Sequence, residues 1–319
     1  MSWQDLPGYY RLRQQALCLD SVKAVTRGSD LGMWDFLAHL NPVRGTYIAV
    51  YSDSEATTLL GQISCPLGAR VARLSYVMPG LTADSGAMCE LIDYLAAQAG
   101  EWGALYLTAE VDENSSAFES LRRAGFTIYT RQRIWQLSEN NEPQNTSPKH
   151  LWQTMTSMDE VPVRNLLQSI VPPLVQPLDL RQHSPRLNGL VFREAGELLA
   201  YTEVVYGPCG LWVQPFIHPA AEDVSGLLLA IPLDLPPWAK RPINLGVCSY
   251  QAWLEPLLEN LNAGVGPRQA LMVRRLAIEQ KANARVHLPA LESQRAEPSA
   301  PFVRPYKSDS NYDTTPNNR

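Results

Sequence analysis

The residues best suited to chemistry in this chain are scattered rather than grouped. Five cysteines stand at Cys18, Cys65, Cys89, Cys209 and Cys248. Their spacing makes no Cys-x-x-Cys metal knuckle, and an odd, dispersed set is not a disulfide framework, so the thiols read as reduced and mostly buried. A nucleophilic thiol needs a base beside it in space, yet nothing in the sequence pairs His39, His150, His183, His218 or His287 with a cysteine. His218 ends a β-rich run and belongs to the residue type that titrates near neutral pH. A lone histidine is nevertheless more often a hydrogen-bonded surface residue than a catalyst. No metal site is expected.

Charge and length narrow the classes further. Lys plus Arg number 27 against 32 Asp plus Glu, a formal charge of −5, and no basic run is present to neutralise a phosphate backbone. Nucleic acid is therefore not an expected partner. The first residues, MSWQDLPGYY, carry no signal-like apolar stretch, and no apolar segment approaches the ~20 residues that cross a bilayer. The expectation is a soluble, cytoplasmic protein without a membrane anchor. At 319 residues the chain exceeds the size at which single cores stop growing, about 250–300 residues, so two domains are the natural reading.

Such residues need elements to hold them. YIAVY (47–51) and TLLGQISC (58–65) are β-rich, and Ala72, Leu74, Tyr76 and Met78 alternate with Arg73, Ser75 and Val77. Met88, Leu91, Ile92, Leu95 and Ala99 recur at helical spacing, with Gly100 as a stop. ALYLTAEV (104–111) reads as strand, Ser116 with Glu119 as a capping box opening a helix that Gly125 ends, and 126–137 as strand. The order is a helical N-terminus, three strands, helix, strand, helix, strand.

From 150 the order repeats. A short strand at 152–155 precedes a helix capped by Asp159 with Val163, Leu166, Leu167 and Ile170 on one face. Three strands fall between 190 and 218, then a helix ahead of Pro232, a strand at 243–247, a helix ending near Gly264 in which Pro256 introduces a kink, and a strand over 269–278. Self-similarity of this length marks duplicated units. The expected organisation is a domain at 1–137, a polar linker at 138–149, a second domain at 150–280 and a Pro- and Ser-rich disordered extension at 281–319. Trp135, Trp152, Trp212 and Trp253 read as core anchors.

The stretch from Val77 to Phe126 resembles the GNAT acetyltransferase superfamily. The residues that carry the resemblance are Val77 and Pro79, which match its Val-x-Pro strand end, and NSSAFESLRRAGF (114–126), which is similar to its Asn-x-x-Ala … Gly-Phe helix segment. The fold class it implies is α/β, of α+β type with a mixed sheet, as two tandem GNAT-like domains, the second more degenerate. In the family the fourth and fifth strands splay apart, and the pantetheine arm of acetyl-CoA pairs with the fourth strand while the pyrophosphate sits on a helix N-terminus. The resemblance thus places the cofactor acetyl-CoA on Val77 and Met78, near Gly86 and Asn114. It makes Glu110 the candidate base facing the gap, the alternative being a partly exposed strand-end carboxylate, and Tyr76, Tyr106 and Tyr129 either line the same cleft or, as burial habits favour, pack as core or half-buried aromatics. In the second copy, Tyr201, Glu203, His218 and Tyr250 converge on the equivalent gap, Tyr250 standing where the family has Asn.

The chain also departs from the family. Ala83, Asp84, Ser85, Gly86, Ala87 and Met88 occupy the places of an Arg/Gln-Gly-x-Gly-x-Gly/Ala loop, and only Gly86 matches. Asp84 brings negative charge toward a pyrophosphate. Leu121 stands where the family's proton-donating tyrosine belongs. Arg122 and Arg123 fit the pattern but read as a solvated helix face. In the second copy the loop carries Glu222 and Asp223. Two functions follow: an acyl-CoA-dependent N-acyltransferase acting on a small-molecule or peptide amine, or a pseudoenzyme that binds a small molecule or a protein, with a scaffold docking partners through its tail as a third. A homodimer is left open.

Overall fold

The computed structural model describes residues 13–28, 45–52, 58–80, 85–137, 151–179, 187–236 and 241–276. The expected linker at 138–149, the extension at 281–319, His39, His150, His183 and His287, and Ala83 and Asp84 lie outside these residues. The first half contains β1 (Leu17–Cys18), α1 (Ser21–Arg27), β2 (Thr46–Ser52), β3 (Thr58–Ser64), β4 (Val71–Met78), α2 (Ser85–Glu101), β5 (Tyr106–Asp112), α3 (Ser116–Arg123) and β6 (Thr127–Leu137). The helical period of α2 buries Met88, Leu91, Ile92, Leu95 and Ala99 against Leu59, Ile63, Leu74, Leu107 and Ala109 of the sheet. Gly61 permits this approach, because a Cβ there would meet Leu95 Cδ1 at 2.5 Å. The helix runs one residue past Gly100, and Gly103, at φ +86°, takes the left-handed turn that follows.

The second half contains β7 (Gln153–Thr154), α4 (Glu160–Ile170), α5 (Gln176–Asp179), β8 (Gly189–Glu194), β9 (Glu197–Tyr206), β10 (Leu211–Ile217), α6 (Val224–Asp234), β11 (Ile243–Cys248), α7 (Glu255–Asn260) and β12 (Gly264–Arg275). Leu227, Leu228 and Ile231 of α6 pack with Val213, Leu245 and Val247. On the other face Val163, Leu166 and Leu167 of α4 pack with Val191, Tyr201 and Phe216. Two expectations are corrected at prolines. Pro232 lies inside α6 rather than beyond it. Pro256 lies in the first turn of α7, where its missing N–H costs nothing, so it starts a helix instead of kinking one. Trp135, Trp152 and Trp212 are core residues, but Trp253 is 38% exposed.

Among the described residues all twelve strands join one sheet, ordered β2-β3-β4-β5-β12-β6-β11-β10-β9-β8-β7 with β1 paired to β4. The repeated order is therefore not two sheets side by side. Strand β12 lies antiparallel between β5 and β6, and β6 lies antiparallel between β12 and β11. Each half's last strand thus completes the other half's ladder. The packing follows suit, since Trp135 of β6 is buried in the core of the second half and Met272 of β12 in that of the first.

One irregularity shapes β4. Gln62 and Ile63 are consecutive in β3 but oppose Tyr76 and Leu74, leaving Ser75 as an extra residue. A bulge of this kind bends its strand and inverts the alternation beyond it. Ala72, Leu74 and Val77 consequently face α2, whereas Tyr76 and Met78 join Ile48 and Leu60 on the opposite side. The expected single face for Ala72, Leu74, Tyr76 and Met78 is corrected accordingly. Strand β10 pairs with β9 over its whole length without a shift.

Candidate functional site: two splayed strand pairs

Both halves contain a parallel pair that starts in register and then parts. Val71, Ala72 and Arg73 pair with Tyr106, Leu107 and Thr108, and Leu211, Trp212 and Val213 pair with Ile243, Asn244 and Leu245. Beyond these residues β4 and β10 each expose a row of main-chain groups to the gap, which is where a ligand with amide groups could add itself as a strand. In both gaps the chain supplies that partner itself.

In the first gap the partner is main chain. Leu17 and Cys18 pair antiparallel with Val77 and Tyr76, Leu19 N donates to Ser75 O at 2.8 Å, and Gly80 N donates to Gln15 O at 3.0 Å. On the far side Glu110 N donates to Leu19 O at 2.9 Å, so this segment bridges β4 to β5. The side chain of Glu110, 9% exposed, fixes the segment's end: its Oε2 accepts from Ser21 N at 3.0 Å and from Gln132 Nε2 at 3.1 Å. Gln132 Nε2 also donates to Gln269 Oε1 at 2.9 Å, as does Ser21 Oγ at 2.9 Å. Glu110, the candidate base, is thus an acceptor in a buried polar network that holds the segment's end.

The expected cofactor residues lie around the same gap. Val77 spends its gap-facing edge on Leu17, and Met78, buried, pairs with Leu60 of β3 on the strand's other edge. Gly86 is exposed in the first turn of α2. Asn114 is exposed on the turn after β5, where its N–H donates to Asp112 Oδ1 at 2.8 Å. Leu121 is buried at 2% exposure, a core residue of α3. The Ser116–Glu119 capping box is absent: α3 is capped at Ser115, whose hydroxyl donates to Asp112 O. Arg122 pairs with Glu119 on the surface, as the solvated-face reading expects. Tyr76 is fully buried, while Tyr106 and Tyr129 are half-buried.

In the second gap the partner is one side chain. Gln251, 2% exposed, accepts from Ile217 N through Oε1 at 2.9 Å and donates to Pro215 O through Nε2 at 2.6 Å. Its amide therefore takes the place of a paired strand along β10. Pro215 fits because its absent N–H falls on this gap side and costs no bond to β9. Counting six residues on from the paired Thr108 and Leu245 reaches Asn114 and Gln251. Gln251, rather than Tyr250, is thus the counterpart of Asn114. Tyr250 packs beside the α4 cluster with Tyr201 and Phe216. His218 takes part in a turn in which Ala220 N donates to its Nδ1. Tyr201 is buried, and Glu203 lies opposite Gln214 in the β9–β10 ladder.

Burial sets the electrostatics around these gaps. Desolvation pushes the Cys18 thiol up to about 12, which removes thiolate chemistry from that position. Burial likewise raises the Tyr201 hydroxyl. All five cysteines are free thiols, Cys65 and Cys248 buried and Cys209 exposed. Among the described residues no group of three or more His, Cys, Asp or Glu could hold a metal, and no helix is long and apolar enough to cross a membrane.

No family model matches this sequence, and no curated protein does. Solved structures do match. They include a GCN5-related N-acetyltransferase from Sphaerobacter thermophilus at 11% identity, covering 83% of this chain and 96% of that one with a TM-score of 0.48. A GCN5-related N-acetyltransferase from Kribbella flavida matches at 13% identity, 75% and 93% coverage and a TM-score of 0.49. A tandem GNAT protein from the clavulanic acid biosynthesis pathway matches at 14% identity, 80% and 91% coverage and a TM-score of 0.46. The α/β fold stands on the element order and strand pairing above, which is the order that the GNAT resemblance implies.

Proposed function

We propose that this chain is a tandem GNAT-type protein that has closed both acyl-CoA gaps with its own groups and works as a binding protein rather than an acyltransferase. The observation that carries this reading is the pairing of β4 with Leu17–Cys18 and of β10 with the Gln251 amide. A pantetheine arm would have to displace these partners and then reach a phosphate loop that keeps one of the family's glycines, Gly86, and lacks its cation. The clamp at Glu110 adds to the cost, because withdrawing Ser21 N from a buried carboxylate leaves that carboxylate short of a donor.

A competing reading, acetyl-CoA-dependent transfer to a small amine, is favoured by one observation. The NSSAFESLRRAGF segment folds as the strand-end turn and helix that the resemblance implies, with Gly125 at φ +85° ending it. This reading requires residues 17–21 to leave the gap. The test is a thermal-shift titration of the full chain with acetyl-CoA and with CoA. A ligand that binds only the folded state stabilises it by RT ln(1 + [L]/Kd), about 2.7 kcal/mol at a hundredfold excess over Kd. The expected result is no saturable shift at millimolar ligand. A saturable shift would sink the binding-protein reading and restore the enzyme.

A further inference from the structure

We infer that a row of aromatic side chains on the outer face of the first half is a binding site for a small molecule carrying a quaternary ammonium group. At its centre is Tyr47 of β2. Its ring lies 6.3 Å from that of Tyr94 in α2, with the planes 39° apart, and 6.0 Å from that of Trp102 in the turn after α2, with the planes 87° apart. Tyr94, Gln98 and Trp102 follow one another at four-residue steps, and Trp102 N still donates to Gln98 O, so all three share one helix face. Tyr94 is 55% exposed and Trp102 37%. Single exposed aromatics need no explanation. Here three stand in contact, and the geometry of the rings says what they suit.

The near-perpendicular rings of Tyr47 and Trp102 make a corner that offers two ring faces to one cation, and a ring face attracts a cation within about 6 Å of its centroid. A carboxylate stands beside this corner. Glu101, exposed at the end of α2, accepts from Gln98 Nε2 through Oε2 at 3.0 Å, which holds it on the same side of the helix. Its charge reaches Tyr47: desolvation foremost, then Tyr94, then Glu101 push the Tyr47 hydroxyl up to about 12. Negative ring faces and a carboxylate favour the same positive charge. The polar atoms of the row are meanwhile engaged with one another, the Tyr47 and Tyr94 hydroxyls at 3.0 Å and Gln98 with Glu101. A primary ammonium brings three donors that need acceptors. A trimethylated one brings charge and apolar surface with no donor, which is what a corner of ring faces beside a carboxylate accommodates.

The site is separate from the gap that the GNAT resemblance assigns to a cofactor. Tyr47 stands opposite Ile63 of β3, and Ile63 opposite Leu74 of β4, so the row lies two strands away from β4. Trp102 also follows the last turn of α2, whereas the gap opens at Val77, ahead of the first. Whether acetyl-CoA binds in the gap therefore leaves this site undecided, and the two are tested apart.

Calorimetric titration of the full chain with choline, with its uncharged isostere 3,3-dimethyl-1-butanol and with ethanolamine tests the inference. Glu101→Gln removes the charge without changing shape, Trp102→Leu removes a ring face from an exposed turn, and Met158→Ala, at an 88% exposed position in the second half, serves as a control. The expected result is saturable choline binding that weakens about two- to fivefold in each site variant, the size of a cation–π contact at an exposed site, and is unchanged in the control. Both other probes should bind more weakly than choline. No saturation by choline at tens of millimolar, or equal choline binding in the site variants and the control, overturns the site. The butanol binding as tightly as choline overturns the cation, and ethanolamine binding as tightly overturns the quaternary assignment. Should Trp102→Leu lower the melting temperature, Glu101→Gln decides alone, and undiminished choline binding in it overturns the role of the carboxylate.

Discussion

The same gap is closed by different means in the two halves, and the difference lies in where each half sends its first strand. In the second half β7 goes to the sheet edge beside β8, and the helix α4 that follows lies over β9 and β10. In the first half the equivalent short strand, β1, leaves the edge and enters the gap between β4 and β5, drawing α1 across to the turn between β9 and β10. Cys209 N donates to Thr26 O at 2.9 Å there, and Gly207 has no room for a Cβ against the same carbonyl. A bulged β4 bends away and opens a space wide enough for main chain. Beside the unbulged β10 a single amide, that of Gln251, occupies the gap. One fold therefore fills equivalent gaps with backbone in one half and with a side chain in the other.

The sharpest way to break the comparison is to ask whether there are two halves at all. Trp135 belongs to the first half in sequence and to the second half's core in space, fully buried. Trp135→Ala is expected to cost about 3–5 kcal/mol, and because β6 and β12 are exchanged the whole described region should melt in one transition at lower temperature. Calorimetry reads this directly. Two separated transitions, with only one moved, would show halves that fold independently and would contradict the exchanged sheet.

Next in size is the clamp of the first gap. Glu110→Ala leaves Ser21 N without its acceptor in a buried site and takes one of the acceptors of Gln132 Nε2, which keeps Gln269 Oε1, an expected loss of about 1–3 kcal/mol. Glu110→Gln keeps one accepting oxygen and should lose less. Urea unfolding of both variants checks the order. An alanine variant as stable as the parent would mean that the segment 17–21 is not held by this carboxylate.

The second gap offers a matched pair. Gln251→Ala strands Pro215 O and Ile217 N and should cost about 1–3 kcal/mol, whereas Asn114→Ala, its positional counterpart on an exposed turn, should stay within about 0.5 kcal/mol. Equal effects in denaturant unfolding would erase the distinction drawn between the two closures.

Much of this arrangement was legible from residues alone, and the limits have physical causes. The periodicity of Met88 to Ala99 and of Val163 to Ile170 identified helices because burial on one face repeats every turn. The exchange of β6 and β12 was not legible, since a strand's pattern says which face is buried and nothing about its neighbour. Leu17–Cys18 escaped notice because two residues carry no period, and the N-terminus read as helical. Glu110 was found as a strand-end carboxylate read as partly exposed, and its burial was not legible because its partners Ser21 and Gln132 are distant in sequence. Gln251 was overlooked for Tyr250 by one position, an error that only the register of β10 with β11 corrects.

The smallest effect concerns the Asp that opens each half's first helix, Asp20 in α1 and Asp159 before α4. Asp20 caps Lys23 N and lies 3.7 Å from Arg73, while Asp159 is held at 2.6 Å by Arg193 and also accepts from Thr156 N and Oγ1. Foremost the Arg193 bond, then the Thr156 bonds, lower the Asp159 carboxyl to about 2 from its ordinary 3.8. A carboxyl depressed in the folded state contributes stability that is complete above its unfolded value and is lost as pH falls through the folded one. The loss attributable to Asp159 should thus fall between about pH 4 and pH 2. Arg193→Met removes the foremost cause, so the variant should be less stable than the parent at pH 7 and should converge on it by pH 2. Guanidinium unfolding at pH 7, 4 and 2.5 checks the convergence. A stability gap that stays constant across this range would assign the role of Arg193 to packing over β8 instead of to the charge on Asp159.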